Sequence, residues 1–287
     1  MAYSNIEWTQ ISLVRNIIQR SYEPLQIYFF VSLARAMGAN SFWDIGANVG
    51  SFSLAMASVP AIKRVHAFEP MPQLHVELAK NVRNNDPRKK ILCHGIALSD
   101  HDGTVDFAIL GAYSGANGVA ATLFHKVSED VERLQVNARK LDSFVMQGHI
   151  PPDGLVAIKI DVEGHELAVL KGASDFLQRA CLLQVELLAS HEAMGSEVKN
   201  FLSGLGYHCF WEIGADSYFA PINMCPTDQQ LLQILRQSHQ DMIDDFHRIE
   251  ITGINHTDDR IVRRLGPIEI AFHASAARFL RRLFRRD

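Results

Sequence analysis

The chain has 287 residues and a formal charge of −4 at pH 7, with 47% apolar and 21% charged residues. This composition is typical of a globular protein with a core of its own, and it excludes a disordered chain. The acidic balance disfavours nucleic acid as the main partner, because phosphate binding usually needs a basic surface. The four cysteines lack metal-ligand spacing, which indicates isolated thiols in a reducing compartment: Cys93, Cys181, Cys209 and Cys225.

The two ends of the chain bear on its location in the cell. Residues 1–10 lack a basic start followed by an apolar run, so we expect no signal peptide. No apolar stretch is long enough to span a bilayer, and we expect a cytoplasmic protein. Residues 271–287 predict an amphipathic helix in which arginines surround an apolar stripe. Such a helix either lies at a membrane surface or packs on the core or on a second subunit, and the packed form is favoured.

Hydrophobic periodicity divides the chain into three parts. We predict a helical segment over residues 1–40, a core over 41–222 and a mainly helical extension over 223–287. Predicted core strands and helices alternate, at 41–45 (strand), 51–58 (helix), 65–68 (strand), 74–82 (helix), 91–98 (strand), 155–160 (strand), 166–171 (helix), 180–187 (strand) and 196–205 (helix). Residues 99–141 break the pattern and are predicted to form an insertion beside the sheet, with a mobile loop over 111–118.

The alternation of strands and helices predicts a Rossmann-like α/β fold. Its sheet should be mainly parallel and seven-stranded, with helices on both faces. Residues 207–211 and 217–220 flank a turn, so the sheet should end in an antiparallel hairpin.

The loop after the first predicted strand is the most informative segment. Its sequence from 44 to 50, Asp-Ile-Gly-Ala-Asn-Val-Gly, brings glycines to the point where backbone approaches a ligand. A nicotinamide enzyme needs Gly-x-Gly-x-x-Gly here, whereas this loop has only Gly46 and Gly50. Asp44 would repel a pyrophosphate but suits a phosphate-free ligand that carries an ammonium and a sulfonium. Glu69, at the end of the second strand, is placed to accept hydrogen bonds from both ribose hydroxyls.

A second dense segment follows the fourth core strand, where residues 159–166 read Lys-Ile-Asp-Val-Glu-Gly-His-Glu. Strand side chains alternate, so Lys159 and Asp161 share one face. Asp161 and Glu163 then lie at the carboxyl end of the strand, which is where open α/β sheets bind ligands. The alternative is a solvated strand end with local salt bridges.

Taken in order, these segments resemble the FkbM family of methyltransferases. The resemblance runs over about residues 42–187 and includes Ala-Phe-Glu-Pro at 67–70, Leu-Asp-Ser-Phe at 141–144 and Leu-Lys-Gly-Ala at 170–173. It implies a class I methyltransferase fold and S-adenosylmethionine as the methyl donor. It also implies, as acceptor, a hydroxyl on a sugar, a polyketide or another secondary metabolite.

The resemblance and the strand ends together predict the site residues. The predicted donor contacts are Asp44, Gly46, Asn48, Gly50 and Glu69. Asp161 is predicted to be either a further donor contact or the base that takes the hydroxyl proton. The other catalytic candidates lie on or beside the same edge: Glu163, His165, Glu186 and His191. Carboxylates with one imidazole also suit magnesium or manganese, but their order is not a recognised metal motif and we expect no metal.

Three other functions compete with this interpretation. They are a nicotinamide-dependent oxidoreductase, a non-catalytic module that retains a cofactor-binding fold, and a ribose methyltransferase acting on RNA. The glycine loop disfavours the oxidoreductase, and the acidic cluster around Asp161 disfavours the non-catalytic module. The acidic net charge disfavours the methyltransferase acting on RNA. The loop over 111–118 is either a lid over the site or an ordinary connection.

Overall fold

The computed structural model describes residues 24–109, 118–119, 132–148, 154–187 and 192–247, and three strands between residues 254 and 273. The helices are α1 (Pro24–Ala36), α2 (Ser51–Ser58), α3 (Pro72–Asn85), α4 (Leu141–Met146), α5 (Glu166–Lys171), α6 (Glu192–Gly204) and α7 (Asp228–His247). The strands are β1 (Ala39–Ile45), β2 (Arg64–Phe68), β3 (Ile91–His94), β4 (Ala97–Leu98), β5 (Gly103–Ile109), β6 (Gly118–Val119), β7 (Glu132–Arg139), β8 (Leu155–Ile160), β9 (Cys181–Glu186), β10 (Tyr207–Ile213), β11 (Asp216–Pro221), β12 (Ile254–Thr257), β13 (Arg260–Leu265) and β14 (Ile268–His273).

The main sheet has seven strands in the order β10-β11-β9-β8-β1-β2-β3. The pairs from β9 to β3 are all parallel, whereas β11 pairs antiparallel with both β9 and β10. The predicted mainly parallel sheet with a terminal hairpin is therefore confirmed. The chain runs outward in opposite directions from β1 and β8, so their carboxyl ends form the crevice in which such sheets bind ligands.

Alternating strand residues feed two separate cores, one on each face of the sheet. On the face covered by α1 and α2, Phe42, Ala157 and Leu182 join one buried cluster. On the opposite face, Trp43, Ile158 and Leu183 join the cluster under α5 and α6. Strands buried on both faces have near-continuous apolar sequences, and for that reason the sequence alone predicts β8.

Helix α1 is part of the core structure rather than a detached segment. Phe29 and Phe30 pack edge-on or tilted against Tyr218 of β11, with ring centroids 4.9 and 6.0 Å apart. The Arg35 guanidinium of α1 lies 3.5 Å from the Asp241 carboxylate of α7. The predicted boundary near residue 40 thus separates elements that pack on the same sheet face.

The insertion forms a second sheet with the order β4-β7-β5-β6. The sequence predicts one strand over 91–98, but the structure divides it into β3 in the main sheet and β4 in the insertion sheet. Gly95 lies at the division, and the chain changes partner there because β4 pairs with β7.

The C-terminal extension differs from the prediction of a mainly helical segment. Helix α7 agrees with it, but β12, β13 and β14 form a three-stranded antiparallel sheet. The physical reason is a period of two: Ile268, Ile270 and Phe272 alternate with other residues along β14. The predicted helix over 271–287 loses its first residues to β14, and residues 274–287 lie outside the described residues. Within the described part of the chain, no helix combines the length and hydropathy needed to cross a bilayer.

Candidate active site

The glycine loop, residues 46–50, links β1 to α2 and takes a left-handed course. Gly46, Asn48 and Gly50 have φ values of 83°, 52° and 93°, and glycine adopts this region without steric cost. The amides of Gly46 and Ala47 both donate to the Phe68 carbonyl, at 3.1 and 2.9 Å. The loop is therefore tied to the end of β2.

The two segments singled out in the sequence meet at this loop. A Cβ atom on Gly46 would lie 1.8 Å from the carbonyl oxygen of Asp161, so no larger residue fits there. The amide of Asp161 also donates to the Ile45 carbonyl at 3.0 Å. The end of β8 and the glycine loop are consequently in direct contact.

Asp44 is a buried acid beneath the loop. It is 1% exposed, and its Oδ2 accepts a hydrogen bond from the Ser53 hydroxyl of α2 at 2.6 Å. Burial raises the pKa of this carboxyl, and the nearby Lys159 ammonium opposes the rise. Its Oδ1 has no hydrogen-bond partner among the described residues. A buried acceptor without a hydrogen bond lowers the stability of the fold unless a ligand supplies a donor.

Glu69 organises the loop from the end of β2. Its Oε2 accepts from the Asn48 amide and its Oε1 from the Met71 amide, both at 2.9 Å. The side chain is buried, and burial raises its pKa to about 7 against the lowering effect of these two bonds. A carboxylate oxygen has more than one acceptor site, so the predicted ribose contacts remain sterically compatible with this loop-holding role.

Three carboxylates form what we call the acid edge: Asp161, Glu163 and Glu186. Their oxygens lie within 4.8 Å of one another, although Glu186 comes from a different strand, β9. Asp161 is one-third exposed and accepts a hydrogen bond from the Lys159 ammonium at 2.7 Å. Glu163 has a left-handed backbone with φ 55°. The edge thus joins solvent-accessible and partly buried acids.

The acids of the acid edge differ in their electrostatic surroundings. Burial raises the pKa of Glu186 well above its usual range, and the neighbouring Asp161 carboxylate raises it further. The raised pKa favours the protonated form of Glu186 more than that of an exposed glutamate. Asp161 is the member that pairs with the Lys159 ammonium, and a carboxylate placed beside an acceptor hydroxyl can take up its proton.

His165 lies behind the acid edge rather than on it. It is 9% exposed, and its Nε2 is 2.9 Å from the hydroxyl of the buried Ser99. Burial lowers its pKa to about 4, so the ring is neutral at physiological pH. This placement favours a role in joining α5 to the insertion sheet. His191 lies outside the described residues, as does the predicted lid apart from Gly118.

Sequence reasoning did not assign two residues that shape the site. Glu166 is buried, and one carboxylate oxygen accepts the amides of Val162 and Gly164 at 3.2 and 3.0 Å, which fixes the turn after β8. Its place in the first turn of α5 is the sequence signal for such a capping role. The other residue is Lys159. Strand alternation places it on the same face as Asp161, but it does not show that the side chain is buried.

The loop fits a cationic ligand better than a phosphate. Four of its five amides are already used: Gly46 and Ala47 bond to Phe68, Asn48 to Glu69, and Gly50 to Ala47. A pyrophosphate site instead offers free amides to the anion. The unsatisfied Asp44 oxygen and the buried Glu69 provide acceptors for an ammonium and for hydroxyl groups, as S-adenosylmethionine would require.

The strand order, the glycine loop and the acid at the end of β2 define a class I methyltransferase fold. The chain belongs to the FkbM methyltransferase family, because the model of the methyltransferase FkbM domain matches residues 44–209. This membership confirms the resemblance found in the sequence, and it argues against the nicotinamide-dependent oxidoreductase.

Curated relatives match about half of the chain. Hexuronic acid methyltransferase AglP of Haloferax volcanii is 33% identical over 147 residues, which are 51% of this chain and 55% of AglP. Methyltransferase sdnD of Sordaria araneosa is 27% identical over 156 residues, or 60% of its length. The chain therefore spans little more than half the length of these two relatives. Among solved structures, an O-methyltransferase from Bacillus cereus in complex with SAH has a TM-score of 0.44 and 12% identity, covering 75% of this chain and 89% of that one.

Proposed function

We propose that the protein transfers the methyl group of S-adenosylmethionine to a hydroxyl oxygen of a sugar, a glycan or a secondary metabolite. The observation that carries this proposal is the direct contact between the glycine loop and Asp161. An acceptor hydroxyl that reaches Asp161 lies beside the loop that would hold the donor. Positioning of that kind can supply about 7–11 kcal/mol of the barrier.

The donor assignment is supported by the chemistry of the loop and by the family. Asp44 and Glu69 would hold the amino-acid and ribose parts of the donor. Most amides of the loop between them already donate hydrogen bonds within the protein. S-adenosylmethionine supplies an activated methyl group on a positively charged sulfur. Both acids have raised pKa values, and a nearby positive charge favours their ionised forms.

The acid edge would accept the proton that the acceptor hydroxyl loses. As the bond from oxygen to the methyl carbon forms and the bond from that carbon to sulfur breaks, the hydroxyl proton passes to Asp161. Lys159 donates a hydrogen bond to Asp161, and the raised pKa of the neighbouring Glu186 disfavours a second negative charge beside it. A placed base of this kind typically contributes about 10²- to 10⁴-fold.

A sugar-type acceptor is supported by the name of AglP, a hexuronic acid methyltransferase. The chain is 33% identical to that protein over about half of either chain, so the acceptor class is a proposal for this one. A small-molecule or glycan acceptor also agrees with the acidic charge of −4, which disfavours nucleic acid. We keep a cytoplasmic location as a prediction.

The test is methyl transfer from isotope-labelled S-adenosylmethionine to a panel of neutral hexosides, hexuronides and phenolic or aliphatic alcohols. The expected product is a methyl ether, identified by mass spectrometry and a linkage-specific fragmentation pattern. Donor binding without transfer to any acceptor would contradict the proposal and favour the non-catalytic module. Labelling of a nitrogen or carbon atom would contradict the oxygen assignment alone.

A further inference from the structure

Lys159 is an ammonium buried in the centre of the main sheet. The residue is 6% exposed on β8, and its Nζ lies 4.7 Å from the centroid of the Phe52 ring as well as 2.7 Å from the Asp161 carboxylate. Removing a lysine from water costs several kcal/mol unless a counter-ion and hydrogen bonds compensate. A lysine retained in such a place therefore needs a reason beyond packing.

The register of the sheet shows which groups Lys159 serves. Asp44 of β1 and Gln184 of β9 are its neighbours across the strands, so a polar row crosses the sheet at this level. One level closer to the amino ends of the strands, the same face carries Phe42, Ala157 and Leu182. The polar row thus begins where the strands approach the ligand edge.

Two acids of the site share this one ammonium. Burial raises the pKa of Asp44 and the Lys159 ammonium opposes that rise, while the same ammonium donates a hydrogen bond to Asp161. Asp44 lies beneath the glycine loop, whereas Asp161 belongs to the acid edge. Lys159 therefore links the part of the site assigned to the donor with the part assigned to the acceptor.

The surroundings of Asp161 are otherwise acidic. Carboxyl groups interact with it from the strands and loops that meet at this edge: Asp44, Glu69, Glu163, Glu166 and Glu186. Asp216 of β11 faces Glu186 from the outer side. In this setting the ammonium of Lys159 opposes the repulsion that would turn the Asp161 carboxylate away.

We propose that Lys159 is a positioning residue for methyl transfer, whose buried ammonium holds the Asp161 carboxylate oriented toward the acceptor hydroxyl. The inference rests on the proposed function, since it assigns Lys159 to the reaction that Asp161 serves. Lys159 acts through Asp161 and is not placed in contact with donor or acceptor. A purely structural lysine would instead affect stability without a specific effect on turnover.

The experiment compares turnover and donor affinity in K159M, K159R and the wild-type protein. We expect K159M to lower kcat about 10²-fold, the loss typical of a misplaced catalytic group. Its dissociation constant for S-adenosylhomocysteine should rise by a much smaller factor than kcat falls, because Asp44 keeps its hydrogen bond from Ser53. K159R retains a positive charge and should recover most of the lost kcat. Thermal melts followed by circular dichroism establish that each variant is folded, and K159Q replaces K159M if the latter is not.

Lys90 provides the matched control. Its ammonium is also partly buried, but it donates to the carbonyls of Ala57 and Val59, away from the acid edge. K90M should lower the melting temperature and leave kcat unchanged. A folded K159M with wild-type kcat would overturn the role of Lys159 while leaving the proposed function intact. A wild-type protein that binds donor but methylates no hydroxyl would overturn both.

Discussion

The glycine loop and the acid edge meet at one end of the sheet, yet they are built in different ways. The loop is a short stretch of chain held by backbone bonds to Phe68 and by the Glu69 carboxylate, and the neighbouring acids Asp44 and Glu69 are almost fully buried. The acid edge is assembled at the ends of two strands and is partly exposed; Lys159 pairs with its Asp161, and burial raises the pKa of its Glu186. The comparison teaches that the left-handed course of the loop is set by a few consecutive residues, whereas the acid edge exists only because β8 and β9 end side by side.

The largest expected effect comes from a substitution that removes the base at the acid edge and leaves the glycine loop intact. D161N removes the base while keeping the size of the side chain, so kcat should fall about 10²- to 10⁴-fold. The dissociation constant for S-adenosylhomocysteine, measured by calorimetry, should remain unchanged because the glycine loop is intact. Weak binding in D161N would show instead that Asp161 is a donor contact.

The next effect concerns the contact between the two regions. G46A forces a Cβ against the Asp161 carbonyl and strains a left-handed backbone. The strain costs about 1–2 kcal/mol, and the clash adds about 1–3 kcal/mol. G38A is the matched control, since Gly38 has φ 76° but nothing within 4 Å of its added Cβ. Urea unfolding should show the larger loss for G46A, and equal losses in both variants would exclude a tight contact.

A smaller effect tests the charge on the acid edge. The pKa of Glu186 is raised in the folded protein, so between pH 5 and 9 the folded state holds a proton that the unfolded state has lost. Stability from this group therefore falls as pH rises. E186Q lacks the titrating group and avoids that loss. The melting temperature of E186Q minus that of the wild type should therefore become more positive from pH 5 to pH 9, by about 2–4 °C for each kcal/mol of stability that the wild type loses.

The control for the pH experiment is an exposed acid. Glu212 pairs with Lys199 at the surface and has a lowered pKa. E212Q should change the melting temperature by the same small amount at pH 6 and at pH 9. If E186Q also shows a constant difference over this range, Glu186 is ionised in the folded protein.

The smallest expected effect is that of a chelator. The Lys159 ammonium and the raised pKa of Glu186 both reduce the negative charge that a divalent cation would neutralise at the acid edge. We therefore expect EDTA to leave kcat unchanged, with added magnesium as the control. Loss of activity that magnesium restores would show that the three carboxylates bind a metal.

Sequence reasoning predicted those features that depend on local chain geometry. Gly46 and Gly50 mark a left-handed turn, and this requirement is visible in a few consecutive residues. The division of strand 91–98 at Gly95 was missed, because it depends on a distant partner strand. The burial of Lys159 was missed for a similar reason: alternation assigns a side chain to a face but does not show that α2 covers that face.

The central claim is that the glycine loop binds a cationic, phosphate-free nucleoside through Asp44 and Glu69. Calorimetric titration of S-adenosylhomocysteine into the wild-type protein, D44N and E69Q tests it directly. The account predicts one binding site per chain in the wild-type protein and at least about a tenfold weaker affinity in each variant, the loss expected for a charged hydrogen bond. Absence of binding to the wild-type protein, or equal affinity in all three proteins, would contradict it.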